Sequence, residues 1–190
     1  MYRLLALFHA GGVMIFPILL TSIVTLALIL EGIWVIKRSR RRLTQHQLNP
    51  GLEPGKGDLF SSLLSWMRSR PEAEKAEQEQ ACARIFQTQE RHTSWLAVIA
   101  AISPLLGLLG TVSGMIQIFS IVAVTRPTNP IAELSRGISE ALFATAGGLL
   151  VALLAAIGNH YLINSLDDLG DAVLDWLGSR THREAPRAGK

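Results

Sequence analysis

The chain has 190 residues, 49% of them hydrophobic and 17% charged, with a mean hydropathy of +0.31, a balance more apolar than that of a soluble domain and suited to a membrane protein. The net charge of +3 arises from bases interleaved with acids and carries no aromatic and basic pattern, which argues against a nucleic-acid platform. One cysteine, Cys82, excludes an intrachain disulfide and a cysteine-rich metal site.

Three near-continuous apolar runs appear, Val13 to Leu30, Trp95 to Val124 and Ala141 to Ile157. A hydrocarbon core of about 30 Å needs roughly 20 helical residues, so the expected spans, with their flanks, are 13–36, 95–124 and 134–160. The fold class predicted is therefore all-α: a polytopic membrane protein whose three transmembrane helices are extended by cytoplasmic helices, in one domain over 1–190. A cleaved signal peptide fits the first run poorly, because KRSRRR follows it where small residues would be needed, and a retained anchor is expected. Pro17 lies early enough to allow a bend near the outer end, and Glu31 reads as an interfacial acid.

Lys37, Arg38, Arg40, Arg41 and Arg42 follow the first span, whereas Arg126 is the lone base of the connection between the second and third. The positive-inside rule then places the N-terminus outside, residues 37–94 inside as a helical region, and the tail 161–190 inside. Within that region LNPGLEPGKG is turn-rich. DLFSSLLSWMRSR follows as a short amphipathic helix, capped by Asp58 and stopped at Arg70 before Pro71. PEAEKAEQEQACARIFQTQERHTSW predicts a long helix running towards the second span.

On the second span Ser103, Gly107, Thr111 and Gly114 share a broad face, and Gly110 pairs with Gly114 at a spacing of four, so another backbone can approach closely. Pro104 deforms this helix and frees a backbone carbonyl. TRPTNP is a turn. The third span carries a second small-residue lane, Ala141, Thr145, Gly148, Ala152 and Ala155 or Ala156, with Leu142, Leu149, Leu150 and Leu153 available to lipid. Beyond it Leu162, Leu166, Leu169, Val173 and Trp176 form an apolar stripe, while Asp167, Asp168, Asp171 and Asp175 keep the rest wet. That stripe needs a partner, either the long helix before Trp95 or an adjacent protomer.

GLEPGKG lacks the spacing and terminal hydroxyl of a nucleotide loop, and His9, His46, His92, His160 and His182 have no close metal-ligand spacing. No nucleophile elbow accompanies the serines. Neither an enzyme, nor a cofactor, nor a metal site is expected. What remains is the polar content of the spans: Thr111, Ser113 and Gln117, then Ser139, Glu140 and Thr145.

AISPLLGLLGTVSGM (101–115) and GISEALFATAGGLLVALLAA (137–156) closely resemble the two signature helices of the MotA/TolQ/ExbB proton-channel family, in its ExbB/TolQ branch. The opening AGGVMIFPILLTSIVTLALILEGIW also resembles that family's first span. The likeness covers roughly half of the chain. Two positions depart from the family pattern, Ser113 in place of a bulky aromatic and GNHY at the end of the third span. The resemblance implies a homopentamer in the bacterial inner membrane around a dimer of ExbD/TolR-like single-span proteins. That partner contributes the proton-carrying aspartate, and a TonB- or TolA-like protein can receive the work. It also carries the pathway positions over to Thr111 and Thr145, with Glu140 near the outer side.

Threonine hydroxyls suit such a path because they donate to a carboxylate and accept from its protonated form without adding charge. The membrane potential supplies roughly 2.3 kcal/mol per charge per 100 mV to drive it. Glu140 is offset from Thr145 by about 140° around a helix, so proton passage and an inter-subunit bonding role both stay open for it. Two competing classes are a non-conducting structural scaffold and a solute transporter, the latter poorly matched by three spans without an inverted repeat.

Overall fold

The computed structural model describes residues 15–48, 58–125 and 127–184, with side chains described as far as residue 179. The expected turn-rich linker from 49, the first two residues of the first span, Arg126 and the end of the tail lie outside the described residues. The regular structure described is entirely helical: α1 (Ile15–Leu48), α2 (Leu59–Ser69), α3 (Lys75–Thr125) and α4 (Pro130–Glu184).

Helices α1, α3 and α4 are each long and apolar enough to cross a membrane. With 51 and 55 residues, α3 and α4 extend over about 75 to 85 Å at 1.5 Å per residue, far more than a bilayer requires. Apolar span and polar extension are one helix in each case, because no glycine or proline cluster interrupts the good helix formers on either side of Trp95 or Ile157. Even Pro104 lies inside the continuous α3. On α4 the exposed leucines include Leu142, Leu149, Leu150 and Leu153, each more than half exposed.

The described chain gathers into two compact units, to both of which the three long helices contribute. The first contains the described residues of Met1–Leu28 and Leu96–Gly158. Its core consists of Ile18, Ala144 and Val151, with Ile99 and Leu106 packed against them. Here α3 and α4 run antiparallel, as their short connection requires: contact pairs descend on one helix while they rise on the other, from Ile118 with Gly137 through Gly114 with Ala141 to Gly107 with Thr145.

The second unit comprises Ile29–Trp95 and the described residues of Asn159–Lys190. The α4 stripe forms its spine, with Leu162, Leu166, Leu169, Val173 and Leu177 all at most 2% exposed. Its partners lie in the same chain. A Cβ placed on Gly32 of α1 would come within 2.7 Å of Leu162, and Gly170 faces the ring of Phe86 on α3. Trp176 meets Phe60 and His46 edge-on, with ring centroids 5.2 and 5.5 Å away. These T-shaped contacts join α1, α2 and α4.

Asp58 caps α2 as its sequence position predicts. The carboxylate accepts from the Ser61 amide at 3.1 Å and the Ser61 hydroxyl at 2.7 Å. Arg70 ends the helix, its amide bonded to the Met67 carbonyl. The cap is also tied to α1, since the Leu59 amide donates to the buried Ser39 hydroxyl at 3.0 Å and the Arg38 guanidinium lies 3.9 Å from Asp58. One otherwise orphaned amide at the start of α2 is thereby satisfied by another helix. Cys82 is 2% exposed in this unit, and burial pushes its thiol up to about 11.

Candidate functional site

The small residues of the first unit bring two backbones into direct contact. A Cβ on Gly148 would lie 2.5 Å from the Ser103 carbonyl oxygen and 3.0 Å from the Gly107 Cα; one on Gly107 would lie 2.9 Å from the Thr145 Cα. Only glycine fits where the obstructing atoms are main chain on both sides. Further along, a Cβ on Gly114 meets that of Ala141 at 3.1 Å, and one on Gly137 meets Ile118 at 2.6 Å.

This close approach puts one hydroxyl on the opposite helix. Thr145 donates to the Gly107 carbonyl at 2.9 Å, across 38 residues of sequence. In helical register the same carbonyl receives the Thr111 amide, so Thr145 adds a second donor to an oxygen with two lone pairs. The hydroxyl of Thr111 stays on its own helix and donates to the Leu108 carbonyl at 2.7 Å. Both threonines are half-buried, and both retain lone pairs able to accept a proton donor.

Glu140 is half-buried, and among the described residues no hydrogen bond or ion pair engages it. Gly110 is buried, and its carbonyl accepts from the Ser113 hydroxyl at 3.2 Å. Ala141 and Gly148 are buried in the α3 contact, whereas Ala152 is half-buried. The buried lane of α4 thus runs through Ala141, Ala144, Gly148, Val151 and Ala155. Ala144 and Val151 were not singled out in the sequence. Gln117 and Ser139 are exposed.

Two polar features escaped the sequence reading. Thr25 is 2% exposed and donates to the Thr21 carbonyl at 2.7 Å, while Thr21 donates to the Pro17 and Ile18 carbonyls. Two threonines four apart in an apolar run were the available signal. Ser103 is 1% exposed, and its hydroxyl has no hydrogen-bond partner among the described residues. The sequence places it on the small-residue face, and Gly148 closes against its carbonyl. Among the described residues no three His, Cys, Asp or Glu side chains gather as a metal site would require.

Residues 53–173 match the model of the MotA/TolQ/ExbB proton channel family. The chain is 29% identical to ExbB-like protein 1 of Synechocystis sp. over 185 residues, covering 85% of this chain and 71% of that protein. It is 43% identical to the biopolymer transport protein ExbB of Salmonella typhimurium over 79 residues, 42% of this chain and 32% of that protein. It is 31% identical to the Tol-Pal system protein TolQ of Haemophilus influenzae over 108 residues, 55% of this chain and 47% of that one. The chain therefore spans under half the length of the ExbB and TolQ relatives it matches there.

Proposed function

The chain belongs to the MotA/TolQ/ExbB proton channel family, and on that premise we propose that it is the ring-forming subunit of a proton-driven motor in the bacterial inner membrane. Five copies surround two single-span partners of the ExbD/TolR type, with the N-terminus periplasmic and the C-terminus cytoplasmic. The partner contributes the aspartate that carries the proton, and a TonB- or TolA-like protein receives the work. This subunit makes and breaks no covalent bond.

The observation that supports this reading is the Thr145 hydroxyl lodged on the Gly107 carbonyl at the closest approach of α3 and α4. A protonated partner aspartate donates its one O–H to a lone pair of either Thr145 or Thr111, with no change in that threonine's own bond. After the proton leaves, the carboxylate needs donors, and a hydroxyl supplies one by rotating away from its carbonyl. Gly107 keeps its in-register amide bond throughout, so no backbone acceptor is left bare. Low dielectric strengthens the preference for whichever arrangement satisfies the carboxyl, which makes protonation and rotor position interdependent. Glu140, half-buried and without a partner among the described residues, serves the outer end of the path or a neighbouring subunit.

The same hydrogen bond favours a second reading, a non-conducting scaffold in which Thr145 only fastens α3 to α4. Replacing Thr145 by Val and by Ser in the complex reconstituted with its partner separates the two. The motor reading expects normal assembly with loss of proton-dependent work in Thr145→Val and recovery in Thr145→Ser. Full proton-dependent work in Thr145→Val removes the hydroxyl from the path. Partner motion that persists after the proton gradient is collapsed favours the scaffold.

A further inference from the structure

From Leu30 onward one face of α1 changes character within a few turns. Leu30 and Trp34 are 58% and 57% exposed, and on the same side follow Lys37, Arg41 and Thr44, all exposed. The five positions fall within an arc of about 80° around the helix. Arg40, Arg41 and Lys37 line an open groove of about 510 Å³, completed by Thr44 and Gln45.

The charges here differ in how they are used. Arg38 lies over the Trp34 ring at 4.9 Å and reaches towards Asp58. Lys37, Arg40 and Arg41 have no ion pair among the described residues. Glu31, the acid on this stretch of α1, lies about 100° around the helix from Leu30. Lys37 and Arg41, without ion pairs among the described residues, therefore share a face with an exposed tryptophan where the apolar part of α1 gives way to bases, and Arg40 flanks that face across the groove. Tryptophan sits at the level of lipid headgroups. Lys37 and Arg41 lie about 4.5 and 10.5 Å further along the axis, and their long stems let the charged ends reach back towards that level.

We propose that this groove is a binding site for the phosphodiester headgroup of an anionic phospholipid, with Arg40 and Arg41 forking onto phosphate oxygens and Lys37 completing the charge match. Acyl chains then lie along the exposed Leu30 and Trp34, contacts that a free phosphate ion cannot make. Guanidinium geometry suits bidentate phosphate binding, and with the N-terminus periplasmic, as proposed above, the cluster falls at the cytoplasmic headgroup level. This site is independent of the proton path, and its failure would leave that reading untouched.

The test uses the purified full chain in detergent, offered equimolar phosphatidylglycerol and phosphatidylcholine, with bound lipid counted by native mass spectrometry. Phosphatidylglycerol should be retained over phosphatidylcholine by about tenfold or more, each single substitution Lys37→Gln, Arg40→Gln or Arg41→Gln should cut that preference roughly fivefold, and the triple variant should abolish it. Arg84→Gln with Arg91→Gln, which removes two exposed charges from α3, should leave it intact. Excess inorganic phosphate should not displace the lipid. Equal retention of the two lipids, an unchanged preference in the triple variant, an equal loss in the α3 control, or full displacement by phosphate would each overturn the proposal. If the triple variant unfolds, the single variants decide.

Discussion

Adding one methyl group at Gly148 is the sharpest probe of the contact between α3 and α4. The new Cβ would lie 2.5 Å from the Ser103 carbonyl oxygen, 3.0 Å from the Gly107 Cα and 3.1 Å from the Gly107 nitrogen. All three are backbone atoms, so no side chain can swing aside, and relief requires the helices to part by about 1 Å. That movement stretches the 2.9 Å bond from Thr145 to Gly107 beyond hydrogen-bonding range. Overpacking costs about 1–3 kcal/mol and the lost interhelical bond about 0.6, against up to about 1 kcal/mol recovered because alanine favours the helix over glycine. Gly148→Ala should therefore lose about 1–3 kcal/mol net. Gly147→Ala is the matched control, since among the described residues its Cβ would meet only the Ile18 side chain at an ordinary 3.5 Å and it gains the same helix preference. Loss of helicity by circular dichroism, titrated with sodium dodecyl sulfate in mixed micelles, compares the two. Equal midpoints for the two variants would refute the backbone-to-backbone contact.

Two further outcomes concern the second unit. Asp58→Ala removes the cap of α2 and two bonds from Ser61, and should lower the stability of this unit by about 1–2 kcal/mol, readable as faster amide exchange over Leu59–Ser69; unchanged exchange would show that the cap is dispensable. Cys82, at 2% exposure, should resist maleimide at pH 7.5 in the folded protein and react once the unit is unfolded. Because burial raises its folded pKa from 9.0 to about 11, the unfolded state releases the proton first. This thiol's contribution to stability is complete below pH 9 and is lost as pH rises to about 11. A Cys82→Ala variant should lack that alkaline decline, measured by denaturant titration across the same range.

Patterns that depend on one helix were legible in the sequence. Leu162, Leu166, Leu169 and Val173 recur at helical spacing among aspartates, and all four are buried. Asp58 and Pro71 likewise mark the ends of α2 through local chemistry. Contacts that depend on how two helices rotate against each other were not. Small residues at 141, 144, 145, 148, 152 and 155 all suit close packing, and neighbours such as Ala144 and Thr145 differ by about 100° around the axis. Only the packing of α1 and α3 against α4 sets Ala144 at 3% exposure, and the crossing with α3 directs Thr145 to Gly107. Ser39 was hidden for another reason: it stands inside KRSRRR, where every neighbour signals solvent, yet it is fully buried against the start of α2.

The seam between Gly107 and Gly148 also has a thermal signature. Glycine and alanine surrender no rotamers when they pack, and between helices in lipid there is no expulsion of water to drive them together. Closure there rests on dispersion and one hydrogen bond, neither of which fades in the cold. The leucine spine of the second unit, set among aspartates, depends instead on burial from water, and that force weakens on cooling. Chilling the protein should loosen the spine while leaving the seam shut.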